Sequence, residues 1–311
     1  MTVANILKIA ISVLFGYVYS AAVWSAEISL AETGYLQRPL KGILIEGEIK
    51  KGDYDRFRYL VMLGMVGPGI WLASPGGDLV EAIRIGKLIR KLKLEVYAPD
   101  SNSKLWATTI HIKNPQNNVC ASACFFIYAA GVRRAGDVLG VHRPRFTEEN
   151  LRSMSIDEVA TGQSASQEFA SSYLKSMGTP STIIEIMNST KPSDMHWLTE
   201  NELKPLKGYI PEYGDWLDAK CSWASIGSDY NEVCKDCSVD EILTRQRVHI
   251  QTKRAECRIN LLEDEQRKVR SEVLDEFVKN KQILNMIEEQ RRACSEITEK
   301  NIRECPKRKV E

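Results

Sequence analysis

The sequence has no excess of charge of either sign. It contains 42 lysine and arginine residues against 41 aspartate and glutamate residues, which leaves a formal net charge of +1. Long-range attraction to nucleic acid needs a strong positive field, which this chain lacks. Internal repeats and low-complexity tracts are also missing, and 43% of the 311 residues are hydrophobic. We therefore expect a globular protein with a sizeable core and no nucleic-acid partner.

Long apolar runs are absent after residue 26. Before that point, Lys8 precedes the apolar stretch 9–18, and the small-residue segment 20–26 follows it. This order of charge, apolar core and small residues is typical of a signal peptide. The stretch 6–24 is also just long enough to span a bilayer. Residues 1–26 are therefore interpreted as a signal peptide or, alternatively, as an N-terminal membrane anchor, and in both cases we expect export, to the periplasm or an equivalent compartment.

The eight cysteines form two groups along the chain. Cys120 and Cys124 lie in its middle, four residues apart, so they could form a bridge or simply be buried. The other six follow residue 219, at Cys221, Cys234, Cys237, Cys257, Cys294 and Cys305. Cys234 and Cys237 have the spacing of half a zinc knuckle, but no second Cys-x-x-Cys or histidine pair follows at the usual distance. Disulfides are therefore favoured over a metal site, and neither a metal nor a cofactor is predicted.

Strand and helix patterns alternate between residues 41 and 141. The strand patterns lie at 41–48, 69–73, 94–98 and 138–141, and the helical patterns at 54–65, 79–89 and 121–130. Such alternation predicts an α/β fold with a largely parallel, buried sheet. From about residue 219 the sequence becomes polar and helical without sustained heptads. We therefore predict an α/β domain over 27–218 and a disulfide-clipped helical tail over 219–311.

Three short motifs carry groups that could perform chemistry. In 74–78 (SPGGD), a glycine pair between a strand and a helix could offer backbone N–H groups to an oxyanion, or could form only a tight turn. In 120–124 (CASAC), Ser122 opens a buried helix, either as an exposed nucleophile or as an N-cap. In 140–144 (GVHRP), His142 ends an apolar strand, either as a general base or as a hydrogen-bonded structural residue.

In this order, the three motifs resemble those of the Clp-protease fold of serine peptidases, specifically the exported, ClpP-like periplasmic proteins. That family has a Ser-Pro-Gly-Gly oxyanion loop, a nucleophilic serine at the start of a helix that ends in Ala-Ala-Gly, and a His-x-Pro base. The resemblance covers about residues 41–210 and implies a ClpP/crotonase-like spiral of β-β-α units. It also implies Ser122 as the nucleophile, His142 as the general base, and the N–H groups of Gly77 and Ala123 as the oxyanion hole.

The third member of a catalytic triad is harder to assign from the sequence. The family's aspartate precedes a landmark that corresponds here to residues 197–202, and no acid stands where that aspartate most simply aligns. Asp194 is the nearest carboxylate and is our predicted orienter of His142, with Asn188 as the alternative.

The resemblance implies an exported serine endopeptidase that cleaves polypeptides through an acyl-enzyme and assembles as a homo-oligomer. Nothing in the chain resembles a docking feature for an ATP-driven unfoldase, so we expect the activity to be ATP-independent. The missing aspartate favours an alternative, a catalytically inactive binding or scaffolding protein of the cell envelope. An acyl-transfer enzyme of crotonase architecture is disfavoured, because coenzyme A is scarce outside the cytoplasm. A further hypothesis is that the tail covers the active site or sets the oligomeric state.

Overall fold

The computed structural model describes residues 26–32, 41–62, 69–101, 112–146, 151–152, 154–222 and 238–278. The strands are β1 Glu27–Glu32, β2 Lys41–Glu46, β3 Gly69–Ala73, β4 Glu95–Tyr97, β5 Cys120–Ala121, β6 Arg133–Ala135, β7 Leu139–Val141, β8 His196–Trp197 and β9 Gly208–Tyr209. The α-helices are α1 Asp53–Met62, α2 Leu79–Lys91, α3 Ala123–Ala130, α4 Ile156–Ser176, α5 Ser181–Ser189, α6 Glu200–Leu203, α7 Pro211–Lys220 and α8 Val239–Val278.

Several of the sequence predictions concern residues outside these ranges. The predicted leader, apart from Ala26, lies outside the described residues, and so do Cys234, Cys237, Cys294 and Cys305. Within the described ranges, no helix is both long and apolar enough to cross a membrane. The boundary between the two predicted parts stays a prediction.

Two sheets organise the α/β part. The larger has the strand order β1-β2-β3-β4-β6-β9, with β2, β3, β4 and β6 parallel and with β1 and β9 added antiparallel at its edges. The smaller has the order β5-β7-β8, in which β5 and β7 are parallel and β8 is antiparallel. The predicted α/β class with a largely parallel, buried sheet is confirmed. The sequence patterns did not indicate β1.

Side chains alternate between the two faces of the larger sheet. On β2 and β3, one face carries Ile43, Ile45, Ile70 and Leu72, all fully buried against the helices in the main core. The other face carries Leu44, Trp71 and Ala73, which form a separate small cluster. A period of two is the geometry of every β-strand. Because both faces of these strands are covered, their sequences are continuous apolar runs.

The helix α3 lies inside the core. All eight of its residues are buried, which matches a sequence that is apolar on every face. Arg90 of α2 donates to the carbonyl oxygens of Ala129 and Ala130 at the end of α3, at 3.2 and 2.8 Å. Because those carbonyls have no partner within the helix, this contact satisfies them and joins α2 to α3.

Apart from residues 219–222, the described part of the tail is one long helix, α8, which packs on the α/β part. Val269 and Val273 enter the main core. The disulfide between Cys221 and Cys257 joins the end of α7 to α8, so the predicted clip is confirmed for this pair. Ion pairs between α8 and other described residues include Lys91–Glu272, Lys93–Glu265, Arg58–Glu276, Asp218–Arg254 and Asp218–Arg258. The partner residues lie on α1, on α2, just after the end of α2 and on α7, and none of these ion pairs involves Ser122 or His142.

Candidate active site

The three motifs meet at the carboxyl ends of parallel strands. Ser74 directly follows β3, Ser122 directly follows β5, and His142 directly follows β7. Two backbone hydrogen bonds hold these ends side by side: the N–H of Ala121 donates to the carbonyl of Ser74 at 3.0 Å, and the N–H of Ser122 donates to the carbonyl of Gly140 at 2.9 Å. Ligand sites of α/β proteins form at the carboxyl ends of the parallel strands, so the position of these motifs is itself functional evidence.

Ser122 forms a sharp turn between β5 and α3. Its backbone lies at φ 55° and ψ −121°, and within the described ranges Lys93 is the only other non-glycine residue with a positive φ. Such a conformation costs about 1–3 kcal/mol and is maintained only where the surroundings impose it. A strained strand-to-helix turn of this kind lifts a serine hydroxyl out of the fold for nucleophilic attack. The Ser122 side chain makes no capping hydrogen bond to α3, so the geometry favours the nucleophile over the N-cap interpretation.

Gly76 lies against this turn. An ideal Cβ placed on Gly76 would stand 2.6 Å from the Cβ of Ser122 and 3.0 Å from the backbone nitrogen of Ala123. Real Cβ atoms are not found at the first distance, so only glycine fits here. The motif SPGGD therefore contributes more than a tight turn, because it shapes the backbone around the candidate nucleophile.

Two backbone N–H groups, one in the SPGGD loop and one at the start of α3, are not used by the surrounding secondary structure. The β-bridge between Ile49 and Gly77 is built from the N–H of Ile49 to the carbonyl of Gly76, at 2.7 Å, and from the N–H of Asp78 to the carbonyl of Ile49, at 2.8 Å. It does not use the N–H of Gly77. Ala123 is the first residue of α3, so its N–H has no acceptor within the helix and lies at the positive end of the helix dipole. Both are therefore chemically suited to bind an oxyanion.

The ring of His142 has a defined tautomer. Its Nδ1 lies 2.8 Å from the carbonyl oxygen of Arg143. Because a carbonyl only accepts hydrogen bonds, Nδ1 carries the proton in the neutral ring, and Nε2 presents its lone pair. Two hydrogen bonds fix the segment after His142. The N–H of Arg143 donates to the carbonyl of Thr190 at 3.1 Å, and the side-chain amide of Gln163 donates to the carbonyl of Pro144 at 2.6 Å.

The structure does not bring the predicted orienters into contact with His142. Asp194 is exposed, and its carboxylate accepts from the hydroxyl of Ser193 at 3.0 Å. Asn188 donates to the hydroxyl of Ser171 at 3.0 Å, between α5 and α4. Across the described segments no hydrogen bond or ion pair joins either residue to the imidazole. The carbonyl of Arg143 was not predicted, and no sequence signal could have revealed it, since every residue has a backbone carbonyl.

A second histidine lies on the strand next to His142, but it has a local partner. His196 pairs in register with Val141, and its Nε2 lies 3.2 Å from both carboxylate oxygens of Glu202. The N–H of Thr199, together with His196, holds the pKa of Glu202 below its usual value. Glu202 forms the capping box of α6 with Thr199, so the partner of His196 is a carboxylate that also caps this helix. Among the residues that the structure describes, no group of three or more His, Cys, Asp or Glu side chains could hold a metal ion.

Cys120 and Cys124 form a disulfide around Ser122. Their Cα atoms are 5.2 Å apart, and both residues are fully buried. The bridge joins the strand before Ser122 to the first turn of the helix after it. The sequence left open whether these cysteines pair, and the structure answers that they do.

Comparisons with known proteins give two structural likenesses. The chain is similar to a mutant of ClpP1 from Listeria monocytogenes, with 19% identity, a TM-score of 0.37, and coverage of 52% of this chain and 85% of that one. It is also similar to a mutant of the membrane-bound stomatin-specific protease 1510-N, with 16% identity, a TM-score of 0.34, and coverage of 57% and 82%. No protein-family model and no curated protein matches the sequence. These identities and TM-scores carry no functional argument. The candidate site rests instead on the strained turn of Ser122, the close fit of Gly76 against it and the strand-end position of His142.

Proposed function

We propose that this protein is an exported, ATP-independent serine peptidase that cleaves polypeptides through an acyl-enzyme on Ser122. The observation that carries the proposal is the backbone of Ser122, which holds a non-glycine residue in a strained turn beside the end of the strand that delivers His142. Strain of this kind is maintained at sites where a side chain must be presented in one direction.

The proposed reaction uses the side chains and backbone N–H groups at the carboxyl ends of β3, β5 and β7. The Oγ of Ser122 attacks the substrate carbonyl carbon while Nε2 of His142 accepts its proton. The N–H groups of Gly77 and Ala123 stabilise the oxyanion of the tetrahedral intermediate. His142 then gives the proton to the leaving amine, and the C–N bond breaks. A water molecule then attacks the acyl-enzyme while His142 accepts its proton, and His142 returns this proton to the Oγ of Ser122 as the ester bond breaks and the acid leaves.

The carbonyl of Arg143 takes the place of a triad carboxylate in this scheme. It fixes the tautomer that leaves Nε2 free to accept a proton. A carbonyl dipole stabilises the imidazolium less than a full negative charge does, so we expect a slower enzyme than one with a complete triad. Asp194 remains the carboxylate nearest to the position where the family's aspartate aligns, and its role as the residue that orients His142 stays a prediction.

The finer parts of the proposal rest on the resemblance of the three motifs. Peptide bonds as the substrate, assembly into a homo-oligomer and export all come from that resemblance and from the leader pattern at 1–26. Membrane association through the N-terminus belongs to the same group of proposals.

Labelling by a fluorophosphonate probe tests the chemistry directly, because the probe reacts with an activated serine and needs no known substrate. We expect the purified protein to be labelled, and Ser122→Ala and His142→Ala to abolish labelling. Ser164→Ala, on the exposed side of α4, and His249→Ala, on α8, are the matched controls and should label like the parent. Cleavage of a fluorescently labelled, unfolded casein without ATP then tests for peptidase activity.

A second function is favoured by one observation, that no carboxylate contacts His142 in the part of the chain that the structure describes. A protein of this kind could retain the fold as a binding or scaffolding module. Absence of labelling in the folded parent chain would support that function and overturn the enzyme proposal.

A further inference from the structure

We propose that the disulfide between Cys120 and Cys124 positions Ser122, so that the hydrolase is active only in its oxidised form. This inference rests on the proposed role of Ser122 as nucleophile. The two cysteines bracket Ser122 symmetrically, two residues before it and two after it. The covalent ring therefore contains Ser122, whose backbone is held in an unfavourable conformation.

Each end of the disulfide is anchored in a different rigid element. Cys120 belongs to β5, where its N–H donates to the carbonyl of Val138 at 2.9 Å, and it also forms a β-bridge with Ser74, directly after β3. Cys124 is the second residue of the buried helix α3. Joining these anchors leaves the backbone between them few alternatives to the observed turn. Without the bridge, Ser122 could relax to a negative φ, which would carry its hydroxyl away from the end of β7.

The short loop that this bridge closes points to a local role. A disulfide restricts the unfolded chain more strongly when it closes a longer loop. The Cys120–Cys124 pair is separated by four residues, whereas the Cys221–Cys257 pair is separated by 36. We therefore expect the first to contribute less to overall stability than the second, and its main effect to be the geometry of the turn.

The chemistry of the switch is thiol–disulfide exchange. A dithiol reductant gives two electrons and two protons to the Cys120–Cys124 bond, which becomes two thiols, while the reductant becomes a disulfide; a disulfide oxidant reverses the reaction. Because both cysteines are fully buried, exchange requires the turn to open or the chain to be unfolded. A chain made under reducing conditions would therefore remain inactive until it meets an oxidant while it folds. Such a device would protect the compartment of synthesis from the protease.

The first test compares two pairs of substitutions in the full chain. We expect Cys120→Ala/Cys124→Ala to lower the rate of fluorophosphonate labelling about a hundredfold, the size of loss that a misplaced catalytic group causes. Its thermal midpoint should change less than that of Cys221→Ala/Cys257→Ala, which should label like the parent. Labelling of Cys120→Ala/Cys124→Ala within about threefold of the parent rate would overturn the proposal, since it would place the rate loss below the size that a misplaced nucleophile causes.

The second test uses rescue, which a merely structural role would not produce. The parent chain is unfolded and reduced with dithiothreitol, then refolded either with the reductant or with oxidised glutathione. We expect labelling only after oxidation, and no response to oxidant in Cys120→Ala/Cys124→Ala. If that variant does not fold, the refolded reduced parent provides the same comparison. Equal labelling of the reduced and oxidised parent would overturn the proposal.

Amide hydrogen exchange separates this proposal from the proposed function. We expect faster exchange over residues 121–125 in the reduced protein than in the oxidised one, with the strands of the larger sheet unchanged. If the oxidised parent is folded but never labelled, the proposed function fails. In that case, unchanged exchange on reduction would also remove the positioning role, whereas faster exchange would keep it.

Discussion

Gly76 and Ser122 are complementary in shape: a Cβ on Gly76 would stand 2.6 Å from the Cβ of Ser122. The same Cβ would lie 2.8 Å from the carbonyl oxygen of Ala121. The carbonyl oxygen is part of the backbone and the Cβ of Ser122 is bonded directly to it, so neither atom can move aside as the end of a long side chain can. The glycine loop and the serine turn therefore form one unit, and a side chain added to the loop should displace the turn.

Gly76→Ala is expected to lower fluorophosphonate labelling about a hundredfold, because it displaces the backbone on which Ser122 stands. Gly178→Ala is a suitable control, since Gly178 also has a positive φ, of 70°, but has no atom within 4 Å of its Cβ position. It should lose about 1 kcal/mol of stability and keep its labelling rate. Labelling of Gly76→Ala at the rate of the control would contradict the complementarity.

Asp194→Asn is expected to change the labelling rate less than tenfold. An aspartate that orients a catalytic histidine contributes about 10⁴-fold to the rate, whereas Asp194 contacts the hydroxyl of Ser193 instead. Asn188→Ala, which removes the contact with Ser171, should also keep most of the rate. A loss of a thousandfold or more in Asp194→Asn alone would restore Asp194 as the third member of a triad.

Tyr173→Phe is expected to lower the free energy of unfolding by about 1 kcal/mol. The hydroxyl of Tyr173, on α4, donates to the carbonyl of Phe126 in α3 at 3.0 Å, and burial raises its pKa above the ordinary value. The ring also packs on the ring of Phe126, with centroids 6.0 Å apart. Tyr173→Leu should therefore cost more than Tyr173→Phe in denaturant unfolding, and equal losses would show that the hydroxyl, not the ring, carries the stability.

Acidification is expected to weaken the attachment of α8 through Asp218. The hydrogen bond from Arg258, together with Arg254, holds the pKa of Asp218 below its usual value. A lowered pKa in the folded state means that the ion pairs stabilise the protein above the unfolded-state pKa, and that this contribution is lost as the pH falls through the folded-state pKa. The parent and Asp218→Asn should therefore differ in unfolding free energy at neutral pH and converge in acid. A difference that grows in acid would contradict this sign.

Local patterns in the sequence predicted most of the core but not its edges. The continuous apolar run of β3 and the amphipathic spacing of α2 are signals that depend only on neighbouring residues, and both elements were predicted. The edge strand β1 has polar residues at alternate positions and pairs with β2 on one side only, so its sequence carried less of the buried-strand pattern.

The candidate site was also predicted only in part from the sequence. Ser122 and His142 were predicted because their residue types and positions in motifs carry chemical meaning. The partner of the imidazole was not, because a carbonyl contact depends on how the chain turns after β7. The pairing of Cys120 with Cys124 also needed the structure, since spacing alone does not distinguish a bridge from two buried thiols.

The burial of Val269 and Val273, at 7% and 5% exposure, has a practical consequence for protein production. A shortened chain that stops near residue 218 would leave the apolar surface that these side chains cover in contact with water. Such a fragment would tend to self-associate and give poor yields, so α8 should be retained in any version prepared for crystallisation or assay. Affinity tags and fluorescent fusions are better introduced without removing this helix.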